Sequence, residues 1–335
     1  MTAEKRFEGV SIDLQGPGLW TTSVGSFPKP DYILKARSQF ARKEISREEL
    51  HKLEEQATRD WIEFQDSIGT DLIVDGEQYR GDMVAYFAEE LPGLEMGGLV
   101  RSYGNRYYRK PIAMGPIGRE KPMTVDWWKF AQSLTDKPVK GMLTGPYTIM
   151  DWSFNEHYAT RRDFTLDLAK VIRDEAIDLE KAGARYIQID EPAASTRMDE
   201  LDLVIEAMQI VTEPLSAHTI THICYGDFHN AYPKMLDIPV DQIDLEFANS
   251  EYSLLDEFSD DPFTKAIGLG VTDVHSHEQE SVDEIADGIR RSLKFIPPER
   301  MFVDPDCGLK TRTVDEAKEQ LTNIKKAVDI VRAEL

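Results

Sequence analysis

The chain has 335 residues, of which 41% are hydrophobic and 30% charged, a composition typical of a soluble globular protein. Its formal net charge of −22 predicts a surface that repels nucleic acid and anionic membranes. No run of about 18 apolar residues is present, and Met1 to Gly16 lacks the apolar stretch of a signal peptide. We therefore expect no membrane span, no nucleic-acid partner and a cytoplasmic location.

Short apolar runs rich in β-branched residues alternate along the chain with longer segments of helical period. The predicted strands are Leu19–Val24, Asp71–Val74, Lys140–Leu143, Arg185–Ile189, Thr219–Ile223, Gln242–Phe247, Ala266–Val271 and Met301–Val303. The predicted helices are Glu48–Ile68, Arg162–Lys181, Met198–Val211, Ser281–Phe295 and Val314–Val331. This alternation is typical of an α/β fold with a parallel sheet, and eight strands close a single (β/α)8 TIM barrel.

Residues 78–122 interrupt this alternation. The segment is rich in glycine and tyrosine, and it is predicted to be an insertion after strand 2 that contains a hairpin and one short helix. No linker or change of composition divides the chain, so residues 1–335 are predicted to form one domain.

Polar residues, glycines and prolines follow the end of nearly every predicted strand. These segments are Gly25–Pro28, Asp75–Glu77, Thr144–Pro146, Asp190–Pro192, His222–Cys224, Glu246, Asp273–His275 and Asp304–Gly308. The functional groups of a (β/α)8 barrel lie at the carboxyl ends of its strands. The sequence therefore predicts that these residues share one rim.

His222 and Cys224 are two residues apart on a predicted strand, so their side chains should share a face. Imidazole and thiolate are good ligands for Zn²⁺, and Glu246 and Cys307 end other strands of the same rim. The pattern alone is weak, and a structural histidine beside a buried cysteine is the alternative interpretation. The position of both cysteines at strand ends favours zinc, and soft sulfur ligands favour zinc over magnesium or manganese.

Two thiolates and a carboxylate would give zinc an electron-rich set of ligands. A water on such an ion would be activated poorly, whereas a substrate thiol would bind as a thiolate and stay nucleophilic. Zinc lowers the pKa of a bound thiol as it lowers that of water. The expected reaction is attack of a thiolate on an electrophilic carbon.

Other side chains of the predicted rim suit an amino-acid substrate. Glu77 and Asp190 could hold an ammonium group, and Ser26 with the backbone before it could hold a carboxylate. His275 could carry a proton, and Trp152 could stack on a planar methyl donor. The alternatives are helix capping and loop ordering for the first three, a surface histidine, and an aromatic that only covers the core.

The sequence resembles the catalytic C-terminal half of the cobalamin-independent methionine synthases from about Thr21 to about Ala333. The resemblance rests on long motifs, namely Val24–Pro28, Asp82–Val84, Ala131–Pro146, Ile187–Ala193, His222–Tyr225 and Asp304–Arg312. It implies a methyltransferase that activates the thiol of homocysteine and methylates it to L-methionine.

The resemblance also implies a role for individual residues. The zinc ligands would be His222, Cys224, Glu246 and Cys307. The homocysteine contacts would be Val24, Gly25, Ser26, Glu77 and Asp190, with His275 as the residue that handles the proton. The contacts to the methyl donor would be Arg106, Tyr107 and Trp152.

The sequence departs from this family on the methyl-donor side. The N-terminal barrel that helps to hold a folate tail has no counterpart in these residues. Thr196 stands where the family has an acid, and Tyr107 stands where it has a cysteine. We therefore expect either a methylcorrinoid donor (methylcobalamin, or a corrinoid carried on a partner protein) or a methyl-tetrahydropterin such as methyl-folate.

Three other functions stay open at this stage. A related thiol alkyltransferase would act on coenzyme M or another small thiol, but Glu77 and Asp190 would then have no ammonium to bind. A porphyrin decarboxylase on a related barrel would need no zinc. A barrel that only binds methionine or a partner would have little reason to retain all four candidate ligands.

Overall fold

The computed structural model describes residue 14 and residues 16–101, 107–224, 226 and 228–335. These residues divide into two compact units. The first contains Arg80–Asp126 and Gly141–Ile243, and the second contains the described part of Ile12–Tyr79 together with Trp127–Lys140 and Asp244–Leu335. Within the described residues, no helix is both long enough and apolar enough to cross a membrane.

A parallel-strand sheet follows the predicted strands closely. Its strands are β1 (Trp20–Thr21), β4 (Gly141–Thr144), β6 (Tyr186–Asp190), β7 (His218–Ile223), β8 (Gln242–Leu245), β9 (Ala266–Gly270) and β10 (Met301–Asp304). Their order is β1-β10-β9-β8-β7-β6-β4. The register pairs Thr144 with Asp190, so two polar residues end neighbouring strands at the same level, and it pairs Asp304 with Gly270. The α/β fold with a parallel sheet is confirmed.

The strand predicted at Asp71–Val74 is not a full strand. Ile73 makes an isolated parallel bridge to Val139. On one side, the N–H of Leu72 donates to the carbonyl of Thr21 at 3.0 Å. On the other, the N–H of Ile73 donates to the carbonyl of Pro138 at 2.9 Å. The segment has backbone partners on both edges, but each pairing is too short to form a ladder.

The helices are α1 (Asp31–Ala41), α2 (Arg47–Ile68), α3 (Met83–Glu90), α4 (Val125–Gln132), α5 (Pro146–Asp151), α6 (Arg161–Ala182), α7 (Leu201–Thr212), α8 (Phe228–Ala231), α9 (Val282–Ser292) and α10 (Val314–Arg332). Helix α2 begins at a capping box between Ser46 and Glu49, and Gly69 ends it with a left-handed φ of 82°. Capping boxes also start α9 and α10. The helix predicted from Met198 starts at Leu201, because Met198–Glu200 forms a 3-10 turn.

A small second sheet lies in the first unit. Strand β2 (Leu94–Arg101) runs antiparallel to β3 (Tyr107–Ala113), and β3 pairs with β5 (Phe154–Asn155). Asp82 caps α3 by accepting the N–H groups of Val84 and Ala85.

The helices of each unit cover the strands of that unit. In the first unit, α6 packs against α7 and against β4 and β6. In the second, α10 packs against α9, α2, β1 and β10. The strand residues are buried throughout β4, β6, β7, β8, β9 and β10, as expected for a parallel sheet covered on both faces.

Candidate metal and substrate site

In the first unit, β7 ends next to two candidate metal ligands. The side chains of His222 and Cys224 are buried, with 3% and 4% of their surface exposed. The carbonyl of His222 accepts the N–H of Glu191 at 3.1 Å, and the carbonyl of Cys224 accepts the hydroxyl of Ser195 at 2.7 Å. These bonds tie the end of β7 to the loop after β6, so the backbone of both ligands is fixed.

In the second unit, the segment after β10 carries Cys307, which is half-buried. Its neighbour Asp306 is fully buried and accepts the N–H groups of Phe247, Ala248 and Asn249 at 3.0, 3.0 and 2.7 Å. Burial raises the pKa of Asp306 to about 8, against the effect of these N–H donors. The bonds join the Cys307 segment to the segment that follows β8.

Glu246 follows β8 and is buried. Its Oε1 lies 3.5 Å from Nε2 of His275, whose side chain is 27% exposed. Hydrogen bonding to Glu246 raises the pKa of His275, and burial acts in the opposite direction. The predicted proton carrier therefore lies beside a predicted metal ligand.

Three of the four predicted zinc ligands come together. The ligand atoms of His222, Cys224 and Cys307 all lie within 4.8 Å of one another, which makes them a candidate metal-binding group. Imidazole nitrogen and thiolate sulfur bind zinc at roughly 2.0–2.3 Å. The group does not include Glu246, whose carboxylate is directed to His275.

In the second unit, Ser26 is the expected homocysteine contact that lies against the Cys307 segment. The carbonyl of Ser26 accepts the N–H of Leu309 at 2.7 Å. A Cβ on Gly308 would lie 2.2 Å from the Ser26 hydroxyl oxygen, so Ser26 and Gly308 are in close contact. Val24 and Gly25 are buried directly before Ser26. Glu77 adopts a left-handed φ of 54°, and its N–H donates to Asp75 at 2.9 Å.

In the first unit, Asp190 ends β6 and accepts the amide of Gln188 at 2.8 Å. The next residue, Glu191, is a structural feature that sequence reasoning missed. It is fully buried and accepts the N–H groups of Tyr147 and Thr148 and the Thr148 hydroxyl, at 2.7–3.0 Å. Burial raises its pKa to about 7. The position of Glu191 directly after a strand was the available signal.

The residues expected to contact the methyl donor are less completely defined. Trp152 is half-buried at the C-terminal end of α5, and its carbonyl lies 3.5 Å from the Tyr108 hydroxyl that donates to it. Tyr107 is the first residue of β3, and Arg106 lies outside the described residues. Thr196 is exposed, and its hydroxyl donates to the carbonyl of Ala193 at 2.9 Å.

Comparisons with known proteins agree on one family. The family model described as "Cobalamin-independent synthase, Catalytic domain" matches residues 19–329. A 5-methyltetrahydropteroyltriglutamate–homocysteine methyltransferase of Mycobacterium leprae (strain TN) is 42% identical over 99% of this chain and 45% of its own length. The corresponding protein of Rhodococcus jostii (strain RHA1) is 40% identical over 99% of the chain and 46% of its length. The chain thus spans about half the length of these curated relatives.

A solved structure shares this fold. The B12-independent methionine synthase from Shewanella sp. W3-18-1, solved with selenomethionine, aligns with a TM-score of 0.84 at 28% identity over 95% of this chain and 98% of that one. A putative vitamin-B12 independent methionine synthase from Listeria monocytogenes aligns with a TM-score of 0.74 at 22% identity over 95% and 99%, which supports the fold alone. The names of the relatives specify a methylated pterin, so the expectation of a corrinoid donor or corrinoid partner has no support here.

Proposed function

Because the chain belongs to the family of cobalamin-independent synthase catalytic domains, we propose that it methylates the thiol of homocysteine to form methionine, with a 5-methyltetrahydropteroyl glutamate as donor. The cluster of His222, Cys224 and Cys307 is the single observation that carries this proposal. Two sulfur ligands and one imidazole are a donor set for zinc.

Zinc held by these three side chains, with Glu246 as a fourth ligand, would lower the pKa of the homocysteine thiol and keep its sulfur nucleophilic at neutral pH. The fit is chemical, since buried His222 and Cys224 and half-buried Cys307 offer soft donors within 4.8 Å. The carboxylate of Glu246 also lies 3.5 Å from Nε2 of His275.

The protein's own residues would then bind and orient the substrate. We assign the ammonium of homocysteine to the carboxylates of Asp190 and Glu77, and its carboxylate to Ser26 and the backbone of Val24 and Gly25. Two contacts support this assignment. The residue after Asp190 donates its N–H to the carbonyl of His222, and Ser26 is in close contact with Gly308, the residue after Cys307. Hydrogen bonds to charged groups contribute roughly 1.5–3 kcal/mol each, enough to select an amino acid over a simple thiol.

The reaction is a displacement at the methyl carbon. The sulfur of homocysteine forms the new bond to carbon, and the bond between that carbon and the pterin nitrogen breaks. The electron pair of the broken bond stays on nitrogen, which takes up a proton, while the thiol has lost one. We assign proton transfer to His275, because Glu246 raises its pKa and its side chain is partly exposed. Trp152, Tyr107 and Arg106 would hold the pterin.

The proposal extends to the fold. We propose that the parallel sheet is a closed (β/α)8 barrel within one domain, with 78–122 as an insertion. The backbone bonds of Leu72 to Thr21 and of Ile73 to Pro138 support this, because they give residues 71–74 the position of a strand between the first and third predicted strands.

The deciding experiment is methionine formation from homocysteine by zinc-loaded protein. The methyl-pterin triglutamate and methylcobalamin are supplied in parallel reactions, and bound zinc is measured on the same sample. Turnover with the pterin supports the proposal. Turnover with methylcobalamin alone would overturn the assignment of the donor, and silence with both on zinc-replete protein would overturn the assignment of the reaction.

A further inference from the structure

The loop that carries Glu77 has an unusual backbone. Gly76 and Glu77 both adopt left-handed φ angles, of 72° and 54°. Glycine accepts this conformation at no steric cost, whereas for glutamate it is unfavourable. Such strain persists only where surrounding contacts determine the backbone. Glycine is also required at position 76, since a Cβ there would lie 2.7 Å from the Phe27 ring.

Donors from other parts of the second unit hold three successive carbonyls of this loop. The carbonyl of Gly76 accepts the N–H of Phe27 at 3.1 Å. The carbonyl of Glu77 accepts the ammonium of Lys29 at 3.3 Å, and the carbonyl of Gln78 accepts the guanidinium of Arg37 at 2.7 Å. The bond to Lys29 is the one made at the strained residue itself.

We propose that Lys29 is a positioning residue for substrate binding: its ammonium fixes the peptide of Glu77 so that the carboxylate of Glu77 leaves the backbone in the direction needed to bind the ammonium of homocysteine. This inference rests on the proposed function, since it takes homocysteine as the substrate.

The surroundings of Lys29 disfavour its positive charge. It is half-buried, and burial together with the nearby charge of Arg37 lowers its pKa to about 8. The charges that act on Lys29 are those of Arg37 and Lys310, which favour loss of its proton, and those of Glu77 and Glu54, which oppose it. A lysine without such a contact would extend its ammonium into water and would not be desolvated.

The test compares Lys29→Met with Lys29→Arg and with Lys35→Met, a matched substitution at an exposed lysine of α1 in the same unit. For Lys29→Met we expect the KM for homocysteine to rise about three- to tenfold, the range that one net hydrogen bond supports. The kcat, the KM for the donor, the bound zinc and the melting temperature should change little. Lys29→Arg should restore the KM, and Lys35→Met should match wild type.

Coupling to Glu77 separates positioning from a general structural role. In a Glu77→Gln background, Lys29→Met should raise the KM no further, because the carboxylate that Lys29 positions is no longer charged. A full additional rise in that background, or an unchanged KM for Lys29→Met alone, would overturn the inference. Wild-type protein that neither binds nor methylates homocysteine would instead overturn the proposed function, and this inference with it.

The pH dependence of wild type provides a measurement that does not depend on the folding of a variant. As the pH rises through about 8, Lys29 loses its proton and a neutral amine donates a weaker hydrogen bond. The KM for homocysteine should therefore rise more between pH 7 and 9 in wild type than in Lys29→Arg, where the charge persists. Identical profiles for the two proteins would contradict the role assigned to Lys29.

Discussion

The residues expected to bind the thiol and those expected to bind the methyl donor lie in different structural surroundings. On the thiol side, His222 and Asp190 end strands of the parallel sheet, and the Cys307 segment is held through three N–H bonds to Asp306. On the donor side, Trp152 is half-buried after a short helix, and Thr196 is exposed. The first group lies at or just after strand ends of the parallel sheet, whereas Trp152 and Thr196 lie at the end of a short helix and in a 3-10 turn.

One of the two sequence departures on the donor side, Thr196, lies outside the strands of the parallel sheet. A strand-end ligand depends on sheet register, so a change there disturbs both the metal group and its neighbours. A loop residue can change without moving the sheet. Thr196 is an example, because its hydroxyl already donates a hydrogen bond to the nearby carbonyl of Ala193.

Removal of a thiolate from the metal group should have the largest effect. Cys307→Ser replaces a soft anionic ligand with a hydroxyl, so we expect zinc content to fall towards zero and methyl transfer to fall by more than about 100-fold, since even residues outside the ligand set cost 10–100-fold. The melting temperature should stay near that of wild type, because Cys307 is half-buried at a strand end. Thr311→Val, in the same segment, is the control. A zinc-replete variant with normal turnover would remove Cys307 from the ligand set.

Loss of one substrate charge partner should have the next largest effect. In Asp190→Asn, the oxygen that accepts the Gln188 amide is retained, so the fold should be unchanged. The KM for homocysteine should rise roughly 10- to 150-fold, corresponding to about 1.5–3 kcal/mol for a hydrogen bond to a charged group. Asp174→Asn, on the surface of α6, is the matched control. An unchanged KM would show that Asp190 binds no ammonium.

The sequence predicted most of the fold because periodicity records burial. The strand at Met301 starts where predicted, and the helix at Val314 extends one residue beyond its predicted end at Val331. At Asp71–Val74 the structure has a single parallel bridge and no ladder, although Leu72, Ile73 and Val74 are buried. The length of a strand depends on the backbone partners in neighbouring strands, which are distant in the sequence and cannot be read from the local pattern.

The site could be predicted to the level of its ligand types but not of its contacts. Alternation along β7 placed His222 and Cys224 on one face, and the structure groups them with Cys307. The pairing of Glu246 with His275 was not foreseen, nor was the bond from Lys29 to the backbone of Glu77. A hydrogen bond between residues far apart in the chain produces no periodic pattern in the sequence, so it becomes visible only in the structure.

On the donor side we expect smaller effects. Trp152→Ala should raise the KM for the methyl-pterin about 2- to 10-fold while leaving the KM for homocysteine unchanged, because an aromatic stacking contact contributes about 0.5–1.5 kcal/mol. Trp152→Phe should recover much of the loss, and its backbone contact to Tyr108 is the same in every variant. A rise in the homocysteine KM instead would move Trp152 to the thiol side.

The smallest effect should come from restoring an acid at position 196. Thr196→Glu should improve the KM for the methyl-pterin about twofold, at the low end of the net value of a hydrogen bond because the position is exposed. The neighbouring Arg197, which pairs with Asp151 at 3.0 Å, will compete for the new carboxylate and limit the gain. Thr196→Gln, which has similar size but no charge, is the control. Equal kinetics for the two variants would show that charge at this position plays no part in donor binding, and the cause of the altered donor side would then be sought at Tyr107.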